Sequence, residues 1–128
     1  MSEVFEVVCF TAGSKDHALY ALRCIDSKSR IQFVLHREHT KVVNGSFIKD
    51  LSLLGRELNN VLIVDNLRES FAMQPENGVL ISSWLGDPFD CELYSLKERL
   101  KAIYHNQPED IRNVLRLVVI NSLESFFE

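Results

Sequence analysis

Three small groups of polar residues in this chain have types and spacing suited to phosphate or metal chemistry. The first is at Thr11, which follows an apolar run and precedes Ala12, Gly13 and Ser14 before a helical pattern begins. A hydroxyl and backbone N–H groups at the start of a helix can hold an anion such as phosphate. The alternative, favoured when this segment is taken alone, is a tight turn with a helix cap.

A lysine and an Asp-Asn pair form the other two groups. Lys49 follows a segment predicted to be a hairpin and could neutralise phosphate charge, although a single lysine in a loop is most often solvated. Asp65 and Asn66 end an apolar strand, where their side-chain oxygens would suit Mg²⁺, a cation that prefers oxygen ligands. The alternative for this pair is an Asx turn.

The elements that must position these residues alternate along the chain. Strands are expected at residues 4–10, 31–35, 61–64 and 79–81, and helices at residues 14–26, 90–103 and 108–127, with a short helical turn between 49 and 58. The Asn44-Gly45 pair predicts a type I′ hairpin within residues 42–48. This order indicates an α/β domain with a mostly parallel sheet, whose ligands bind beyond the carboxyl ends of the strands.

Composition limits the classes of partner and location. The 128 residues are enough for one domain, and eighteen acidic against fourteen basic side chains give a formal net charge of −4. Neither nucleic acid nor a membrane is therefore expected as a partner. Three scattered cysteines indicate buried thiols in a reducing compartment, and no secretory signal follows Met1, so we expect an intracellular location in the nucleus or cytoplasm.

Several segments have a recognisable order and spacing. They lie at residues 5–12, 35–38, 47–56, 61–66, 69–71, 74–78, 81–84, 87 and 92–93. Over about residues 4–103 they resemble the NLI-interacting-factor family of phosphatases, the small phosphatases of the RNA polymerase II C-terminal domain and their relatives. The resemblance implies a haloacid-dehalogenase-like three-layer sandwich with a small β-hairpin insertion. It also implies Mg²⁺-dependent phosphoryl transfer through an aspartyl-phosphate, with phosphoserine or phosphothreonine proteins as substrates.

The resemblance implies roles for individual residues. Thr11, with Ala12 beside it, would hold the transferred phosphoryl group, and Lys49 would neutralise that group and orient the nucleophile. Asn66 would bind Mg²⁺, and Asp65 would support the metal shell. Phosphoryl transfer depends mainly on alignment and charge neutralisation, which these residue types supply.

Two positions extend or depart from the family pattern. Arg37 lies where the family inserts a substrate-facing segment, so a weaker substrate-facing role is implied for it. Leu67 and Arg68 replace the Ser-Pro that commonly follows the Asp-Asn pair in the family. This replacement changes the loop beside the expected metal and weakens the inference about substrate class.

A larger departure concerns the first family motif, Asp-x-Asp-x-Thr/Val. Its first aspartate is the nucleophile and its second the general acid/base, and the aspartates of this sequence include no such pair. We therefore expect the 128 residues to be inactive by themselves. They should form a single phosphatase domain, incomplete at its N-terminus, that lacks the first core strand between the strands at 4–10 and 61–64 and carries a helical C-terminal segment at 108–128.

The missing strand has three possible explanations. We favour an N-terminally shortened piece of a longer protein, then association with another copy, over direct closure of the two neighbouring strands. Exposed strand edges and an apolar C-terminal segment favour a homo-oligomer. The alternative function is a non-catalytic phosphate-binding or scaffold protein that acts as a homo-oligomer.

Overall fold

A computed structural model describes residues 5–25, 30–31, 33–81 and 92–115 of the chain. The chain divides into two compact units, Met1–Lys49 and Asp50–Glu128. Within the described ranges, none of the helices is both long enough and apolar enough to span a bilayer.

The first unit begins with a strand, a helix and a second strand. β1 (Val8–Phe10) pairs in parallel with β2 (Phe33–Leu35), and α1 (Lys15–Ile25) connects them. The Ser14 hydroxyl accepts a hydrogen bond from the His17 N–H at 3.3 Å, which caps the start of α1. Strand, helix and strand therefore follow the predicted order, and α1 starts and ends within one residue of the predicted bounds.

An antiparallel hairpin completes the first unit. β3 (Lys41–Val43) pairs with β4 (Ser46–Ile48), with Val42 opposite Phe47. Asn44 and Gly45 both have positive φ, at 50° and 79°, as both central residues of a type I′ turn must. The predicted hairpin is confirmed, and its turn results from local residue chemistry.

The second unit also contains a parallel pair of strands. β5 (Ile63–Asp65) pairs with β6 (Gly78–Leu80), and α2 (Glu92–Asn106) follows them in the chain. Leu51, Ile63 and Phe71 are buried together in one apolar cluster. A second cluster joins Ile103 of α2 to Ile111 and Leu115, which belong to a helical stretch at residues 111–115.

The start of the helical stretch at residues 111–115 is set by an acidic residue. Asp110 accepts hydrogen bonds from the Arg112 backbone N–H at 2.9 Å and from its guanidinium Nη2 at 2.8 Å. The hydrogen bond to Asp110 raises the pKa of Arg112 above its ordinary value. Asp110 therefore caps this helix and forms an ion pair with Arg112.

The observed elements correct some of the predicted boundaries. The strand expected at 61–64 runs from Ile63 to Asp65, because the Val61 carbonyl accepts a side-chain hydrogen bond from Asn77 instead of joining the ladder. The turn expected between residues 49 and 58 consists of two separate 3₁₀ turns, Leu51–Leu53 and Leu58–Asn60. Most of the helix predicted at 108–127 lies outside the described residues.

Two parallel strand pairs, the first connected by α1, together with α2 make the described residues compatible with the α/β class. In the described ranges, β1 has β2 as its ladder partner and β5 has β6. The three-layer sandwich with a missing first strand stays a prediction.

Candidate functional site

Thr11 is positioned by the end of the parallel ladder in the first unit. Its backbone N–H donates to the Leu35 carbonyl at 3.0 Å, one residue beyond the last paired residue of β1. Its hydroxyl oxygen accepts a hydrogen bond from the Gly13 N–H at 3.0 Å. The turn-forming role of Thr11 is therefore present. The O–H group of the same side chain is a hydrogen-bond donor in addition to this accepting role.

Lys49 follows β4, and the structure buries it to 8% exposure. Its ammonium nitrogen lies 5.8 Å from the centroid of the Phe10 ring, the last residue of β1. The alternative of a solvated loop lysine is therefore wrong. Burying an ammonium is costly unless other groups stabilise it, and Lys49 has interaction partners within the fold.

Arg37 begins a 3₁₀ turn (Arg37–His39) after β2 and contacts the turn that follows β1. Its backbone N–H donates to the Gly13 carbonyl at 2.9 Å, and its Nε donates to the Ala12 carbonyl at 2.8 Å. The guanidinium carbon lies 5.0 Å from the centroid of the Phe47 ring, in cation–π range. The first unit therefore brings Arg37 into contact with Ala12, one of the two predicted phosphate-holding residues in this turn.

Asp65 and Asn66 occupy the end of β5 in the second unit. Asp65 is 8% exposed, and its Oδ1 accepts a hydrogen bond from the Leu67 N–H at 2.9 Å, which is an Asx turn. Asn66 is exposed. Among the described residues, no group of three or more His, Cys, Asp or Glu side chains could hold a metal ion. One carboxylate and one amide make at most a partial site for octahedral Mg²⁺.

Comparison of the sequence with known families identifies its family. The sequence model of the NLI interacting factor-like phosphatases matches residues 1–112. The chain belongs to this family.

Two relatives carry names that describe small phosphatases. CTD small phosphatase-like protein 2 of Dictyostelium discoideum is 40% identical over 116 residues, which are 91% of this chain and 20% of the relative. CTD small phosphatase-like protein 3 of Caenorhabditis elegans is 40% identical over 117 residues, 91% of this chain and 40% of the relative.

A third relative has a different name. The mitochondrial import inner membrane translocase subunit tim50 of Aspergillus fumigatus is 38% identical over 116 residues, 91% of this chain and 23% of that protein. The chain thus spans between 20% and 40% of the lengths of these three relatives.

The expected nuclear or cytoplasmic location is contradicted by these relatives. Several of them, from fungi, fish and mouse, are subunits of the mitochondrial import inner membrane translocase. The expectation was wrong because it used cysteine spacing and the residues after Met1. A domain of this family occurs in proteins with quite different names, and its folded residues do not specify a compartment.

The sequence prediction missed a polar network in the family segment at residues 47–56. Asp50 is 4% exposed, and its Oδ1 accepts hydrogen bonds from the Ser52 hydroxyl at 2.6 Å and from the Gln74 Nε2 at 2.8 Å. Gln74 Oε1 accepts a hydrogen bond from the Leu51 N–H at 2.9 Å. The Asp-x-Ser pattern is a signal for such a turn, but nothing local identifies Gln74 as its partner.

Asn77 is a second buried polar residue that was missed. It is 2% exposed, and its Nδ2 donates to the Leu58 carbonyl at 2.6 Å and to the Val61 carbonyl at 2.8 Å. These bonds hold the segment that leads into β5. Asn77 therefore supports the strand that carries Asp65, without lying at the candidate site itself.

Proposed function

We propose that this chain carries the phosphate-recognising part of an NLI interacting factor-like phosphatase domain, with Thr11, Ala12 and Lys49 as the phosphate-binding residues. The observation that carries the proposal is the burial of Lys49 beside Phe10, at the end of the strand that leads to Thr11. A buried ammonium and a hydroxyl supply the positive charge and the donor that a phosphoryl group requires. The ligand proposed is a phosphoserine or phosphothreonine side chain of a protein.

We further propose that these 128 residues do not catalyse hydrolysis by themselves. An aspartyl-phosphate mechanism requires a carboxylate nucleophile and a second carboxylate for proton transfer, and the sequence contains no Asp-x-Asp pair. Asp65, at the end of β5, already has one oxygen engaged by the Leu67 N–H. With Asn66 it is assigned to Mg²⁺ by the resemblance, and this partial site supplies no nucleophile.

Phosphate binding is tested by isothermal titration calorimetry, in which the chain is titrated with inorganic phosphate and with O-phosphoserine. Lys49→Met, which keeps an unbranched side chain and removes the charge, should weaken binding at least about tenfold, as expected for loss of a charge-assisted contact. Lys97→Met, at an exposed position of α2, is the matched control and should bind like wild type. Equal affinity of Lys49→Met and wild type would refute the proposed site.

Catalysis is tested separately with an aryl phosphate and Mg²⁺. We expect turnover at the level of a blank without protein. Turnover above the blank that disappears in Lys49→Ala would contradict this expectation and would require a nucleophile that the family pattern does not identify.

The relatives support a second candidate, a non-catalytic binding or scaffold role. Several relatives are named as subunits of a mitochondrial translocase, so a domain of this family also occurs in proteins that are not named as phosphatases. For this chain we propose a mitochondrial location and association as a homo-oligomer. Cell fractionation tests the location, and light scattering at micromolar concentration tests the association. A monomer of 14.7 kDa would count against the oligomer.

A further inference from the structure

Arg37 makes two hydrogen bonds to consecutive carbonyls of one turn. Its backbone N–H contacts Gly13 O, and its side-chain Nε contacts Ala12 O, at 2.9 and 2.8 Å. Ala12 and Arg37 are 25 positions apart in the sequence, so the hydrogen bond between them depends on the pairing of β1 with β2. Arg37 thus holds the turn that follows Thr11 from the adjacent loop.

Arg37 is itself held in place by its surroundings. Its carbonyl accepts hydrogen bonds from the Thr40 N–H at 3.0 Å and from the Thr40 hydroxyl at 2.6 Å. Its guanidinium lies over the Phe47 ring of β4 at 5.0 Å. The backbone and the side chain of Arg37 are therefore both restrained, and a restrained donor holds its acceptor more precisely than a mobile one.

These contacts determine where the N–H groups of the turn point. The C=O and N–H of one planar trans peptide point in opposite directions, so fixing the Gly13 carbonyl also fixes the direction of the Ser14 N–H. The Ser14 N–H lies at the start of α1, the end of a helix that favours anions. The Ala12 carbonyl in the same way fixes the Gly13 N–H, which donates to the Thr11 hydroxyl oxygen.

We propose that Arg37 is a positioning residue of the phosphate site, and that it orients the turn at residues 11–14 through Ala12 O and Gly13 O. This inference rests on the proposed phosphate-binding function. It differs from the substrate-facing role that the resemblance implies, because Nε donates to Ala12 O and a contact made by that N–H is not available to a substrate.

The first experiment measures amide hydrogen exchange by NMR in the full 128-residue chain without phosphate. Arg37→Met removes the Nε donor and keeps the backbone N–H, and we expect exchange at Gly13 to become about tenfold faster, as for loss of a charge-assisted hydrogen bond. Arg23→Met, an equal loss of charge at an exposed position of α1, should leave Gly13 exchange unchanged. Unchanged exchange at Gly13 in Arg37→Met would overturn the proposal.

The second experiment titrates the same variants with inorganic phosphate. We expect Arg37→Met to bind phosphate more weakly than Arg23→Met, while circular dichroism shows that both variants remain folded. Phe47→Leu keeps the charge of Arg37 and removes the ring beneath it. It should speed Gly13 exchange and weaken phosphate binding less than Arg37→Met does. Weaker binding with unchanged exchange would mean that Arg37 contacts the anion directly, which also overturns the proposal.

The two experiments separate this inference from the function on which it rests. If wild type does not bind phosphate, the proposed phosphate site is wrong. The exchange of Gly13 then still decides whether Arg37 orients the turn, because that measurement contains no ligand.

Discussion

Replacement of Asn77 by aspartate should destabilise the second unit far more than the small change in side-chain size suggests. The two side chains have nearly the same shape, but a carboxylate has no N–H to donate. In wild type the Asn77 amide donates to the Leu58 and Val61 carbonyls at 2.6 and 2.8 Å from a side chain that is 2% exposed. Asn77→Asp therefore leaves two carbonyls without their donor and places an oxygen against them.

The magnitude follows from these contacts. An unsatisfied buried polar group costs about 1–3 kcal/mol, so loss of both bonds should cost about 2–6 kcal/mol. Total folding stability is typically only about 5–15 kcal/mol, so the variant should be close to unfolding. Asn60→Asp makes the same change at an exposed position of the 3₁₀ turn Leu58–Asn60 and should change stability by less than about 0.5 kcal/mol.

The assay is urea unfolding at several pH values, with circular dichroism as the measured signal. A carboxyl group buried against carbonyl oxygens has a raised pKa in the folded state, so the folded variant binds a proton more readily than the unfolded chain. Relative to wild type, Asn77→Asp should therefore lose stability as the pH rises above the unfolded pKa of about 3.9. If Asn77→Asp and Asn60→Asp were equally stable at neutral pH, the inferred role of Asn77 would be refuted.

Two further predictions concern the same unit. Gly78→Ala should lower stability by about 1–3 kcal/mol, because an added Cβ would overlap the buried ring of Phe71. Thermal unfolding measures this loss. Phe71→Leu in the same chain should recover part of it. Gln74→Ala removes the side-chain bonds to Asp50 and to the Leu51 N–H and should cost about 1–3 kcal/mol in urea unfolding. If either variant unfolded at the wild-type midpoint, the contact that it changes would not contribute to stability.

Local chemistry was sufficient for several elements of the fold. The hairpin follows from Asn44 and Gly45, whose side chains permit the positive φ values that a type I′ turn requires. The start of α1 follows from Ser14 as a cap, and β1 and β5 follow from short apolar runs. These features depend on neighbours within a few residues, so single-sequence patterns contain the information.

The candidate site was only partly accessible to such patterns. Thr11 and Asp65 lie at the ends of parallel strands as predicted, because the order of strands and helices sets which ends carry loops. The burial of Lys49 contradicted the solvated alternative, since burial depends on what packs around a side chain and not on its position in a loop. The phosphate-binding and metal-binding roles of these residues stay predictions.

The sequence by itself determined the α/β class, the hairpin, and the family to which the chain belongs, because these depend on residue order and local backbone preference. Only the tertiary structure decided which distant groups meet. Arg37 contacts Ala12 across 25 positions, Asn77 reaches Leu58 across 19, and Gln74 reaches Asp50 across 24. Each is a directional hydrogen bond between parts of the chain that approach only after the elements pack, so no local pattern specifies the partner.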